Sequence, residues 1–155
     1  MRVEITEETV TTGLARLAAA LGDMSEPMSE IGEVMLASTQ DRIAKGVGVD
    51  GKPFAPRSAT TVDRYGKLGL KYGAPLNQSG RMRKGIAYNS GPDWMEVGSN
   101  AIQAAVMHFG AAKGSLGNGA PWGNIPARPF LGVSDEDRTK IQETIEEWLA
   151  KVEAD

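Results

Sequence analysis

His108 is the only histidine in this chain, and no cysteine accompanies it. A metal ligand or general base needs partners in register, and neither a second histidine nor a nearby acid at suitable spacing supplies one. By helical spacing His108 also falls off the apolar side of its element, so ordinary hydrogen bonding is the expectation. Asp135 and Asp137 are a second candidate, because paired carboxylates can perform acid–base chemistry. They follow Ser134 in what reads as the first turn of a helix, where the helix dipole favours negative charge. Gly46, Gly48 and Gly51 match the letters G-x-G-x-x-G, but they follow a helix and lead into Pro53 rather than opening a helix after a strand. Lys113 precedes its glycine instead of following it, so the glycine-rich stretch around it is not a phosphate-binding loop. Lack of cysteine removes disulfides, thiol nucleophiles and Cys-ligated zinc together. No catalytic, cofactor-binding or metal-binding residue is assigned and no cofactor is expected; recognition is what remains.

Two stretches carry that recognition. In Ile125-Pro126-Ala127-Arg128-Pro129-Phe130-Leu131-Gly132 the prolines fix their own φ and push Ile125 and Arg128 out of the helical region. The result is a stiff, extended arm with Phe130 and Leu131 as apolar anchors and Gly132 as a turn. It is expected to hold the glycine-rich loop 110–123 and the helix after it in fixed relation, with Phe130 buried and Arg128 at or near an interface. The second stretch is basic. Residues 57–84 carry Arg57, Arg64, Lys67, Lys71, Arg81, Arg83 and Lys84 against Asp63 alone, a balance of +6 within a chain of net charge −3. Residues 1–33 and 134–155 each balance to −5. Acidic ends around a basic middle predict charge pairing, either within the fold or between copies of it. Trp122, at the base of the long loop, is expected to dock on something, such as a neighbouring subunit.

These stretches need a frame. At 155 residues the chain reads as one domain, 1–155, with the first 22 residues peripheral to it. No apolar run approaches a membrane span, and the first residues have no signal-peptide pattern, so a soluble, non-secreted protein with no membrane partner is expected. Thr6 is placed to cap a helix to about Leu21 with Val10, Leu14, Leu17 and Leu21 in register. Ser25 is placed to cap a second helix, with Pro27 in its first turn and Met28, Ile31, Met35, Leu36, Thr39 and Ile43 on one face; the two are expected to pack as a helical hairpin. Ser58 opens a short helix through Tyr65, and Ser79 another turn around Arg81–Lys84. Ile86–Tyr88 and Trp94–Val97 form an antiparallel hairpin across a turn-rich linker. Asn100 and Gln103 suggest a capping box for a helix with Ile102, Ala105, Val106 and Phe109 buried. The last helix, about Asp135 to Val152, carries Ile141, Ile145, Trp148, Leu149 and Val152 as a stripe expected to pack on the sheet. The fold class is α+β: a small antiparallel sheet, several helices and long loops.

Several blocks together carry a resemblance. They are Gly51-Lys52-Pro53-Phe54-Ala55-Pro56 with Ser58 and Thr60, then Leu76-Asn77-Gln78-Ser79-Gly80-Arg81-Met82. Glu96-Val97-Gly98-Ser99-Asn100 and Met107-His108-Phe109-Gly110 follow, and the arm with Ser134–Asp137 closes the series. In this order they resemble the phage virion morphogenesis (tail completion) family of tailed bacteriophages and prophages, over residues 25–150. The arm is the most specific block. Leu76–Gly80 departs from the family's usual leucine-threonine-glycine-like block, and Gln103–Val106 replaces the tyrosine-alanine pair that often precedes the histidine block; both departures bear on partner specificity.

The resemblance implies a non-enzymatic structural protein of the phage neck or head-proximal tail end, present in the virion and in host cytoplasm during assembly. It implies a homo-oligomeric ring, expected to be sixfold, that completes the tail. One face would meet the tail tube and the other the head-side connector. In such a ring the basic 57–84 segment can meet an acidic terminal helix of the adjacent copy or lie near passing phage DNA. The alternative reading is a nucleic-acid-binding module using that segment through salt-sensitive phosphate contacts.

Overall fold

A computed structural model describes residues 7–117 and 123–154. In chain order these form α1 (Glu7–Gly22), α2 (Ser25–Lys45), α3 (Ala59–Lys67), α4 (Arg81–Lys84), β1 (Ile86–Ser90), β2 (Met95–Ser99), α5 (Ala104–Phe109) and α6 (Asp135–Ala154). The architecture is α+β, with a two-stranded antiparallel sheet as expected.

The sheet, α4 and α6 are assembled on α2. Its apolar positions recur at helical spacing, and Ile31, Met35, Thr39 and Ile43 are buried on the face that the spacing marks. Pro27 sits in the first turn, where its missing N–H costs nothing. At the other end Gly46 adopts a left-handed conformation (φ 75°) and its N–H returns to the Arg42 carbonyl, stopping the helix. β1, β2, α4 and α6 all pack on α2. The helix therefore lies between the sheet and α6.

That layering corrects two expectations. The stripe on α6 meets α2 and α1 instead of the sheet, because α2 already covers the sheet face. And α1 takes α6 as its principal packing partner, not α2, so the helical hairpin is not formed. The apolar face of α2 is occupied by the sheet and core, leaving little for α1 to cover; Val10, Leu14 and Leu21 stay exposed. Cap assignments also shift. Met24 precedes α2 without a side-chain cap, and Ser25 lies inside the helix with its N–H and hydroxyl both donating to Asp23 Oδ1. Gly80 in a left-handed conformation, not Ser79, leads into α4. Ser58 does cap α3, its hydroxyl accepting from Thr61 N–H. The Thr6 cap lies outside the described residues.

The hairpin pairs Tyr88 with Val97 and Ile86 with Ser99, closed by Gly91 N–H donating to Trp94 O at 2.8 Å. Ile86 and Tyr88 point to one side and Ala87 and Asn89 to solvent, the period-two pattern of a half-covered strand. On the covered side the Tyr88 ring lies over Gly32 of α2. A Cβ at Gly32 would come within 2.2 Å of Tyr88 Cδ2, so this glycine is there for close approach. The core continues as Ile43, Phe54, Met82, Ile86, Ala104 and Phe130, drawn from six separate segments.

Gly32→Ala is expected to destabilise the fold. Overpacking costs about 1–3 kcal/mol, against roughly 1 kcal/mol gained from helix propensity. In a Tyr88→Ala background the same change should stabilise. Urea unfolding of the four proteins of that cycle measures it, and a stabilising Gly32→Ala in the wild type would contradict the packing described.

Candidate assembly surface

The arm is built as the prolines predict. Ile125 pairs with Ala111 through N–H to carbonyl bonds of 2.8 and 2.9 Å, which ties the start of the arm to the end of the α5 turn. Gly110 has φ 77°, and a Cβ there would lie 2.7 Å from Ile125 O, so only glycine permits the approach. Arg128 N–H donates to Met107 O, and Val49 N–H donates to Pro129 O. The side chains alternate: Arg128 and Phe130 are buried, Ala127 and Pro129 exposed. Phe130 has no exposed surface and its ring meets the edge of His108 at 5.3 Å between centroids. His108 Nδ1 accepts from Leu131 N–H. Burial holds the His108 pKa below the usual histidine value, favouring the neutral ring that this acceptor role needs. Its role is the hydrogen bonding expected of it.

Arg128 does not reach outward. Its Nε donates to Ala55 O at 2.7 Å, Nη2 to Pro56 O at 2.8 Å and Nη1 to Pro126 O at 3.4 Å. The guanidinium thus stitches the arm to the Lys52–Pro56 segment within its own subunit, and the side chain is buried. Within the chain the side chain thus has an internal role, supplying the donor that consecutive proline-flanked carbonyls need.

Beyond the arm, Ser134 and Asp137 form a reciprocal cap on α6. Asp137 Oδ2 accepts from Ser134 N–H and Oγ–H, both at 2.8 Å, and Asp137 N–H donates to Ser134 Oγ. The same carboxylate accepts from Ser38 on α2 and faces Arg42 Nη2 at 3.4 Å. Asp137 and Arg42 are both buried. Burial pushes the Asp137 carboxyl up, but the Ser38 and Ser134 hydrogen bonds and the Arg42 charge outweigh it and hold it below the usual carboxylate range. Arg42 also donates to Thr39, while its Nε and Nη1 have no partner among the described residues. Asp137 is thus occupied by structural contacts, whereas Asp135 is exposed.

The basic segment separates into used and unused cations. Arg57 donates to Gly73 O and Ala74 O at 2.8 and 2.6 Å and lies over the Tyr72 ring at 4.9 Å, holding the 68–75 loop. Arg64, Lys67, Lys71, Arg81, Arg83 and Lys84 are exposed, and none makes an ion pair among the described residues. Among the described residues the acidic ends therefore form no ion pair with these six cations. Trp122 lies outside the described residues.

Sequence reasoning missed a further surface. Ile102 is 98 % exposed and Phe109 78 % exposed, where a buried face was expected; Ala104 is the buried residue of this element. The reason is helix length. α5 has only six residues, begins after Gln103 without a capping hydrogen bond, and so never places Ile102 in the helical register. A groove of about 600 Å³ runs between residues 48–55, the arm and the start of α6, with Val49, Phe54, Pro129 and Val133 among its walls. Among the described residues no group of acids or histidine is placed to hold a metal ion. No described helix is long and apolar enough to cross a membrane.

The sequence profile of the phage virion morphogenesis family matches residues 5–150. The chain is also similar to the Mu-like prophage FluMu G protein 2 of Haemophilus influenzae, 29 % identical over 140 residues, which spans 90 % of this chain and 88 % of that protein. No solved structure matches it.

The Asp137 cluster makes a pH prediction. Its folded pKa lies below the unfolded one, so the unfolded chain binds the proton first on acidification. The stabilisation is complete above the unfolded pKa and is lost as pH falls through the folded value. Asp137→Asn, which leaves Arg42 buried and unpaired, should cost about 3–5 kcal/mol at pH 7, and the gap to wild type should narrow on acidification. Urea unfolding at pH 7 and pH 3 checks this, and a gap independent of pH would contradict it.

Proposed function

The chain belongs to the phage virion morphogenesis family, and from that premise we propose that it is a ring-forming subunit that completes the tail and makes it competent to join a head. Its role is in building a virion. The mechanism proposed is binding alone: one face of the ring meets the tail tube and the other the head-side neck proteins. This explains why the only histidine and the buried aspartate are spent on internal hydrogen bonds. The relative carries the name of a Mu-like prophage protein, which agrees with an origin in a tailed phage or prophage.

The observation that carries the reading is the amount of surface left uncovered. Among the described residues twelve large hydrophobic side chains are exposed, against eight that are buried beside Ala104. Interfaces with neighbours bury about 800 Å² per partner, and a subunit held by its neighbours would have such apolar side chains covered on assembly. The frame is nonetheless well fixed, through the arm and Asp137. A rigid frame with unsatisfied surface suits a part that is finished by assembly.

The test is genetic and visual. A prophage or phage with this gene deleted should yield filled heads and separate tails, and the chain supplied in trans should restore joined particles. In micrographs of purified tails the restored protein should form a ring at the head-proximal end. Normal joined particles from the deletion would refute the proposal.

A further inference from the structure

α3 is an ordered helix that buries no residue. Its apolar and charged residues nevertheless segregate: Val62 and Tyr65 share one side, and Arg64 and Lys67 lie on the other. A surface helix ordinarily turns such a stripe onto its own core. Here the stripe continues outward through Leu68, Leu70 and Tyr72, which are 59 %, 41 % and 41 % exposed. Lys71 stands between the last two, and Arg57 beneath Tyr72 keeps the segment in shape. The surface is therefore apolar and cationic at once. A phosphate backbone has use for the cations but not for the leucines, whereas a protein surface of opposite charge has use for both.

Such a surface exists elsewhere on the same chain. Between α1 and α6 lies an apolar groove of about 310 Å³, with Val10, Leu14, Leu17 and Val152 in its walls and Arg16 and Glu153 beside them. Val10 and Leu14 are 46 % and 61 % exposed. Glu146 falls two helical turns before Glu153, on the same side of α6. Both acids are exposed and neither makes an ion pair among the described residues. The two surfaces sit on elements that do not pack extensively on one another, since α6 rests on α2 and α1. Each is thus free to meet the other's copy on a different molecule, and an unequal pair of patches makes a head-to-tail contact, the kind from which rings are built.

We infer that successive copies of this chain associate by seating the segment from α3 to Tyr72 of one copy in the α1–α6 groove of the next. The leucines cover the groove, while Arg64, Lys67 and Lys71 face Glu146 and Glu153. This rests on the ring reading above and specifies which two surfaces form its subunit contact.

Charge reversal tests it on the full chain by analytical ultracentrifugation, with circular dichroism and thermal unfolding as folding controls. The wild type should gain mass with concentration at low salt and lose it at high salt. Arg64→Glu/Lys67→Glu/Lys71→Glu and, separately, Glu146→Lys/Glu153→Lys should each weaken association by about tenfold or more. An equimolar mixture of the two folded variants should regain it, because every contact in an alternating assembly is then complementary. Failure of the mixture to associate overturns the inference, as does a wild type that stays monomeric throughout. Rings that persist unchanged in both variants also overturn it, yet leave the ring reading standing. Retention of duplex DNA by the wild type, lost in the first variant while self-association is unaltered, would assign the cations to nucleic acid and likewise overturn it.

Discussion

The carboxylate of Asp137 is the interaction on which the frame depends. It is buried where three parts of the chain converge: Ser134 just beyond the arm, the first turn of α6, and the C-terminal half of α2 at Ser38 and Arg42. A charged group in such a place costs several kcal/mol unless its lone pairs are filled. Here two hydroxyls, one backbone N–H and a guanidinium fill them, and each donor comes from a part that must be kept in register. Removing the acid would free the helix start and leave Arg42, already short of partners at Nε and Nη1, as an unpaired buried charge.

With α6 pinned this way, the arm is held along its length. Its start bonds to Ala111, its middle is stitched to Ala55 and Pro56 by Arg128, and Phe130 fills the core against His108. The sheet enters from the other side of α2 through the contact of Tyr88 with Gly32. These links tie the arm, α6 and the sheet to α2. They leave α1, the segment from α3 to Tyr72, and the Ile102 and Phe109 side chains outside the frame. Rigidity and incompleteness thus occupy separate parts of the molecule, which is the division that an assembly subunit requires.

Much of this was legible in residue spacing, and the parts that were not share a cause. The face of α2, the Ser58 cap, the strand pair and the burial of Phe130 follow from local periodicity and turn chemistry, and all are found. The Ser134-x-x-Asp137 spacing is itself a capping-box signal, although its partners Ser38 and Arg42 lie about a hundred positions away and no local pattern announces them. The α1–α2 hairpin failed because amphipathicity says that a face will be covered without saying by what. The buried face assigned to α5 failed because Ile102 and Phe109 are apolar at helical spacing in a helix too short to use it. Their exposure is a tertiary fact, and it bears on function more directly than any motif in the chain. Arg128 shows the converse: a charge in the most specific block is consumed internally.

The central claim is that the exposed apolar residues of the free, unassociated chain are covered on assembly. Covalent footprinting with a small carbene probe, read by mass spectrometry on the free protein and on purified virions, addresses it residue by residue. Phe109, Ile102, Leu68 and Leu70 are expected to label strongly in the free chain and weakly in the virion, with Phe130 unlabelled in both. Equal labelling of those four residues in the two states would contradict the account.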